Sequence, residues 1–226
     1  MPKLKPETQA ARREHILDVA LVCFARSGFH RTTMQDICKA ASVSPGALYL
    51  YFDSKEALIE GLVERDREEF AERFAAVGQA QDFLAALNTL AVQYFADEPS
   101  YKRLFVIEMK IEATRNARIA EIVDRVEKYC RSAFADLFRR MEVEGRIAPR
   151  VSIETLVEVF DVMGDGLFWR RAIHTEFNVS AVLPAITGML RELINPIEGS
   201  IDSGNGILLQ QAVSSDRKQW LPEKAQ

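Results

Sequence analysis

The sequence predicts an all-α protein of about nine helices, with an N-terminal three-helix helix-turn-helix domain followed by a larger helical domain. Three observations predict the class. The chain holds 11 Gly and 8 Pro among 226 residues, short of their usual combined share of about 12%, so few positions are set aside for turns. Apolar residues recur at the spacing of one helix face through long stretches. No segment alternates apolar and polar residues with the period of a strand, and no internal repeat stands out.

Ile16, Leu17, Ala20, Leu21 and Phe24 share one face of a first helix over about residues 8–27, which Gly28 ends. Thr33 can cap the next helix, with Asp36 answering three residues on as a shortened capping-box partner, and that helix runs to about residue 41. Ser44-Pro45 supplies a cap followed by Pro at the first helical position, opening a short third helix over 45–50. Ser54 caps a long fourth helix ending near residue 76. Two short helices joined by a tight turn and flanked by longer ones form a helix-turn-helix pattern.

Longer helices follow over 82–96, 100–114, 117–144, 152–173 and 180–194. The eighth aligns Leu156, Phe160, Met163 and Leu167, and the ninth Val182, Ile186, Met189 and Leu193, each at i, i+4, i+7, i+11. From residue 196 the pattern dissolves, predicting a tail that is partly disordered or loosely docked. The expected organisation is a reader at 1–55, a connecting helix over 55–76, a second domain over 77–195 and the tail over 196–226.

Charge divides the same way. The net charge of −4 argues against nucleic acid when taken whole, yet residues 1–55 carry eight basic residues (Lys3, Lys5, Arg12, Arg13, Arg26, Arg31, Lys39, Lys55) against five acidic ones. The balance is +3 there and −7 beyond, which suggests two jobs, one facing a polyanion. Cys23, Cys38 and Cys130 are odd in number and unpaired in spacing, as in a reduced, cytoplasmic protein. There is no apolar leader and no membrane span. Gly-rich phosphate loops, the GxSxG elbow, zinc motifs and Cys/His pairings are absent, so an enzyme is the disfavoured class and neither cofactor nor metal is expected.

Residues 28–58 carry the chemistry. Gly28, Thr33, Ile37, Ala41, Val43, Ser44, Gly46, Leu48, Tyr49, Phe52, Lys55, Glu56 and Leu58 fall in register with the DNA-binding signature of the TetR family of bacterial transcriptional regulators, which this stretch closely resembles. The sequence departs from the family at Ser42, where a turn Gly is usual. Helix N-termini aim unpaired N–H groups at anions, so Thr33, Ser44 and Lys55 stand where phosphates can bind. Tyr49 and Tyr51 offer hydroxyls to the backbone. By resemblance, bases are read by Pro45, Gly46 and Ala47 with Gln35. Of these only Gln35 can pair bidentately with adenine, while Ala47 suits a thymine methyl. Such sparse readout leaves room for DNA shape or an N-terminal arm with Lys3, Lys5, Arg12 and Arg13 to contribute.

The resemblance further implies a repressor that binds a palindromic operator as a homodimer and is released by a small-molecule effector. The eighth and ninth helices of two subunits would then form a four-helix bundle through the eight aligned residues above. An effector pocket would lie among the fifth to eighth helices, with Phe83, Leu87, Tyr94, Phe105, Met109, Phe134, Phe138 and Trp169 as candidate walls. Glu154, Glu158, Asp161 and Asp165 align on the eighth helix, either as a solvated acidic face or as a lure for a cation. A DNA-binding protein without an inducer is the alternative reading, and it would show no closed cavity.

Overall fold

Each short helix begins where its sequence supplies a cap, as seen in a computed structural model describing residues 6–197. Helix α1, Pro6–Arg31, is interrupted at Gly28, whose φ of 76° and ψ of 166° are not helical. The helix therefore breaks at the expected glycine, and one further turn follows. At α2, Met34–Ala40, the Thr33 and Asp36 side chains each accept from the other's backbone N–H, completing the capping box. Ser44 accepts from Ala47 N–H at the start of α3, Pro45–Tyr49, and Ser54 from Ala57 N–H at the start of α4, Lys55–Gln79. The turn between α2 and α3 puts Ser42 in the left-handed region, φ 54°, so serine there accepts a conformation that glycine adopts without strain.

Helix α5, Phe83–Val92, is shorter than expected, because the chain passes into a π-helical turn, Gln93–Asp97. Then come α6, Ser100–Ala113; α7, Ala117–Val143; α8, Ile153–Ile173; and α9, Val179–Ile194. After α9, Pro196 pairs with Ile147 in an antiparallel bridge, and Ile197 N–H donates to Arg146 C=O at 3.0 Å. Residues 196 and 197 are thus docked; the rest of the expected tail, with Lys3 and Lys5 of the arm, lies outside the described residues.

Three apolar clusters organise the fold. The first joins Ile16, Leu17, Phe24, Ile37, Leu48 and Phe52 of the helix-turn-helix to Phe105, Met109 and Ile119 of α6 and α7. Phe24 and Phe105 meet with ring centroids 6.2 Å apart. The second gathers Phe74, Phe83, Leu137, Phe138 and Leu156 around the middle of the larger bundle, and the third is a small group around Leu167, Val179 and Leu183. The helix-turn-helix therefore shares its core with α6.

Candidate functional site

The helix-turn-helix presents one polar face. Gln35, Ser44, Pro45, Gly46 and Tyr49 are exposed on it, with Ala47 half-buried. A Cβ added at Gly46 would meet nothing within 4 Å, so neither backbone nor packing demands glycine there. What it leaves free is room on the outer face. Leu50 is also exposed, an apolar surface residue that sequence reasoning left aside although its position after Tyr49 marks it.

Other expected contacts are already engaged within the chain. Thr33 Oγ1 donates to Asp36 Oδ2 at 2.6 Å, and the Thr33 hydroxyl and backbone N–H together hold the Asp36 carboxyl below its ordinary pKa. Lys55 Nζ donates to Phe29 C=O at 2.5 Å and stands 4.1 Å from the centre of the Phe29 ring. It ties α4 to the end of α1 with donors left over for a phosphate. Tyr51 packs half-buried against the first core. Arg13 pairs with Glu14 and stacks over Phe52, whereas Arg12 is exposed.

Helix α6 grips this unit from behind. Glu108 Oε1 accepts Phe29 N–H at 2.9 Å, and the carboxylate of Glu112, only 1% exposed, takes His30 at 2.9 Å and Arg115 at 2.7 Å. A buried carboxylate is tolerated here because two donors share it.

A second site lies in the larger bundle, between α4, the π-helical turn, α6 and α8. Of the eight residues expected to wall a pocket, only Tyr94 lines this one. Phe105 and Met109 are spent in the core shared with α1; Phe83, Leu87, Phe134 and Phe138 belong to the second cluster. Trp169 points outward, 49% exposed, and its neighbour Phe168 takes the wall position, in contact with Tyr94 at 6.1 Å between centroids. Phe70, Leu90 and Val106 add apolar wall, and the rest of the lining is charged. Lys102 Nζ lies 3.3 Å from Glu69, 3.5 Å from Glu98 and 3.9 Å from Asp66, and Arg73 bonds Glu98 at 3.1 Å. Arg103 is 4% exposed. Asp66, Glu69 and Arg73 fall on one face of α4 at i, i+3, i+7, a charged spacing that apolar periodicity does not register.

Electrostatics mark the same place. Burial, against the attraction of Lys102, pushes the Asp66 carboxyl up to about 6. Tyr94 exposes 39% of its surface, yet burial about its hydroxyl raises the phenol above its ordinary range. Burial also pushes the Cys130 thiol up to about 11, so it stays protonated at neutral pH.

The acidic row on α8 is not a cation site. Glu154 pairs with Arg139, Glu158 and Asp161 with Arg131, and Asp165 with Lys110. Arg170 and Arg171 turn elsewhere, to the Phe177 ring and to Thr175 C=O. Among the described residues no cluster of His, Cys, Asp and Glu could hold a metal, and no helix is long and apolar enough to cross a membrane.

The aligned residues of α8 and α9 divide as well. Leu156 and Leu167 are buried within the subunit, and Phe160 packs on Phe134 and Phe138 at 5.4 and 5.2 Å. Ile186 and Leu193 pack against the third and second clusters, Met163 and Val182 are half-buried, and Met189 is exposed. The outward row of α8 is Val162, Gly166, Trp169 and Ile173, again at i, i+4, i+7, i+11. Two rows of equal period run along this helix, and spacing alone does not say which one faces the core.

Known proteins match this arrangement. The sequence profile described as "Bacterial regulatory proteins, tetR family" matches residues 16–62, spanning most of α1, the helix-turn-helix and the start of α4. The HTH-type transcriptional regulator UidR of Escherichia coli K12 is 30% identical over 152 residues, covering 67% of this chain and 76% of UidR. The HTH-type transcriptional repressor Rv1474c of Mycobacterium tuberculosis is 29% identical, covering 84% of this chain and 99% of the relative. Among solved structures, Salmonella enterica GusR superposes with a TM-score of 0.73 at 29% identity, over 85% of this chain and 99% of GusR. With the family signature lying over the exposed helix-turn-helix and a regulator of that kind similar across three quarters of its length, the chain belongs to the TetR family and is a DNA-binding transcriptional regulator, not an enzyme.

Proposed function

We propose that this regulator is a repressor that binds a palindromic operator as a homodimer and leaves it when a small molecule enters the charged pocket. Residues 1–55 act as the reader, α4 as the connection and residues 77–195 as the sensing and dimerising unit. Gln35 reads an adenine, Ala47 packs on a thymine methyl, and Pro45 and Gly46 admit the backbone of α3 deep into the major groove. Thr33, Ser44, Tyr49, Tyr51 and Lys55 position the helix against phosphates. The observation that carries this reading is the exposed face on which Gln35, Ser44 to Ala47 and Tyr49 stand together, with a glycine that the fold itself does not require.

Two recognition helices must lie about 34 Å apart to enter successive major grooves, which a two-fold dimer supplies. The outward row Val162, Gly166, Trp169 and Ile173, with Met189 on α9, suits that contact. A Cβ at Gly166 or Gly188 would meet nothing inside the subunit, so both glycines leave space for close approach of a partner helix. Ligand response is supported by fold neighbours: SmeT, solved as a triclosan complex, superposes with a TM-score of 0.72, and Bacillus subtilis FadR, solved with stearoyl-CoA, with 0.67.

The pocket draws on both α4 and α6, and α6 also holds Phe29 and His30 at the end of α1. A ligand that parts α4 from α6 would therefore alter the seat of the reader. To move the population from bound to released it must favour the released state by several kcal/mol. The test is footprinting on the chain's own upstream DNA with and without metabolite extracts. Symmetric protection, lost with extract, is expected; protection without symmetry or without any response overturns the reading.

A further inference from the structure

Of the cations that line the pocket, Arg103 is the one without an ion pair among the described residues. Its guanidinium is buried and donates from Nη1 to the backbone C=O of Glu98, while Nε is buried with no hydrogen-bond partner. Among the described residues it forms no ion pair, in contrast to Lys102 and Arg73 beside it. Burial, and then the nearby Arg171, lower its pKa, with Glu98 opposing. A buried charge left in this state is expensive unless a partner arrives. Nε, with Nη2 beside it, forms the edge of a guanidinium that takes an acid group in two parallel hydrogen bonds.

A second orphan stands in the same pocket. Asp66 Oδ1 is buried without a hydrogen bond, its nearest cation being Lys102 Nζ at 3.9 Å. Tyr94 and Phe168 supply aromatic walls. The cavity is about 30 Å³, room for little more than water, so an organic ligand enters only by parting the helices around it.

We infer that the effector is a small hydroxylated organic anion, whose acid group pairs with the free edge of Arg103, whose hydroxyl bonds Asp66 Oδ1, and whose carbon body lies on Tyr94 and Phe168. This rests on the reading above that the pocket is the effector site. A neutral or cationic ligand would leave Arg103 buried and unpaired, and a purely apolar one would leave both orphans unsatisfied.

Thermal unfolding of the full chain tests the inference with two matched pairs at constant ionic strength: gluconate against sorbitol, and 4-hydroxybenzoate against 4-hydroxybenzamide. At least one acid is expected to raise Tm saturably, by about 3–5 °C at tenfold excess over its Kd, while its uncharged counterpart does not, and R103Q abolishes the shift. If R103Q loses the wild-type helical spectrum, R103K replaces it, keeping the charge but not the fork, and is expected to bind the acid at least tenfold more weakly. Equal shifts from acid and neutral partner, a shift that persists in R103Q or an R103K affinity equal to wild type, or no shift from either acid each overturn the inference. Operator binding is measured separately on the same samples. Its absence would count against the repressor reading, whereas intact operator binding without an acid-specific shift counts against this inference alone.

Discussion

Glu108 reaches from α6 to the end of α1, where its Oε1 accepts the backbone N–H of Phe29 at 2.9 Å. The same oxygen would lie 2.8 Å from a Cβ placed on Gly28, whose positive φ and extended ψ already exclude most side chains. Gly28 is therefore needed twice, for the bend in the chain and for the approach of Glu108. G28A is expected to cost about 1–3 kcal/mol, and E108A about 1–2 kcal/mol for the lost hydrogen bond. Because E108A also removes the clash, the double variant should be less destabilised than the sum of the two. Chemical denaturation of all four proteins checks this; strict additivity would show that the two positions do not act through this contact.

The roles proposed for Tyr49 and Gln35, positioning and reading, make different predictions. Y49F removes one hydroxyl and should weaken binding about 3–10-fold, the worth of one hydrogen bond, to a similar degree on every sequence. Q35A should forfeit about 1–3 kcal/mol of discrimination at one adenine position and bind the altered site nearly as well as the original. Fluorescence anisotropy on a selected site and its single-base variants separates the two patterns.

Lys55 belongs to a different class from Tyr49. Its ammonium is bound to Phe29 C=O and lies over the Phe29 ring, so K55A should lower stability by about 1–3 kcal/mol, as for a hydrogen bond to a charged group. Weaker DNA binding should accompany a fall in Tm, whereas Y49F leaves Tm unchanged.

The two rows of α8 make opposite predictions. V162E places a charge on the outward row and should yield monomers by light scattering with the helical spectrum kept. L156A opens a cavity in the second cluster and should cost about 2–5 kcal/mol while the surviving folded protein remains dimeric.

Asp66 gives the pocket a pH signature. Its folded pKa, about 6, stands above its unfolded value near 3.8, so the folded state holds the extra proton and stability falls as pH rises between those values. D66N mimics the protonated form. Its Tm should match wild type near pH 3.5 and exceed it increasingly up to pH 7; a constant difference across that window would contradict the burial assigned to the group.

The caps were the most legible part of the fold. Thr33, Ser44 and Ser54 each accept an amide N–H of the first turn that has no partner within its helix, so local sequence decides where those helices begin. The exposure of Gln35, Ser44, Pro45, Gly46 and Tyr49 follows from the same local pattern, which leaves these residues off the apolar face of their helices. The pocket was not. Apolar spacing points equally to core, pocket and interface, and the residues that distinguish this pocket are charges made unusual by burial, which Arg103 and Asp66 acquire only when α4, α6 and α8 pack. The end of α5 was hidden too: the π-helical turn at Gln93–Asp97 keeps a helical pattern in sequence while shifting Tyr94 and Glu98 to the cavity.

On the proposed function, a symmetric pair of these chains reads a palindrome through α3. Selection of bound duplexes from a random-sequence library by the purified chain tests it most directly. An inverted repeat is expected to be enriched, its half-site centres about one helical turn or a multiple apart, bound by one dimer, with the preference at one adenine lost in Q35A. Enrichment of a single asymmetric site bound by a monomer, or no enrichment at all, would contradict it.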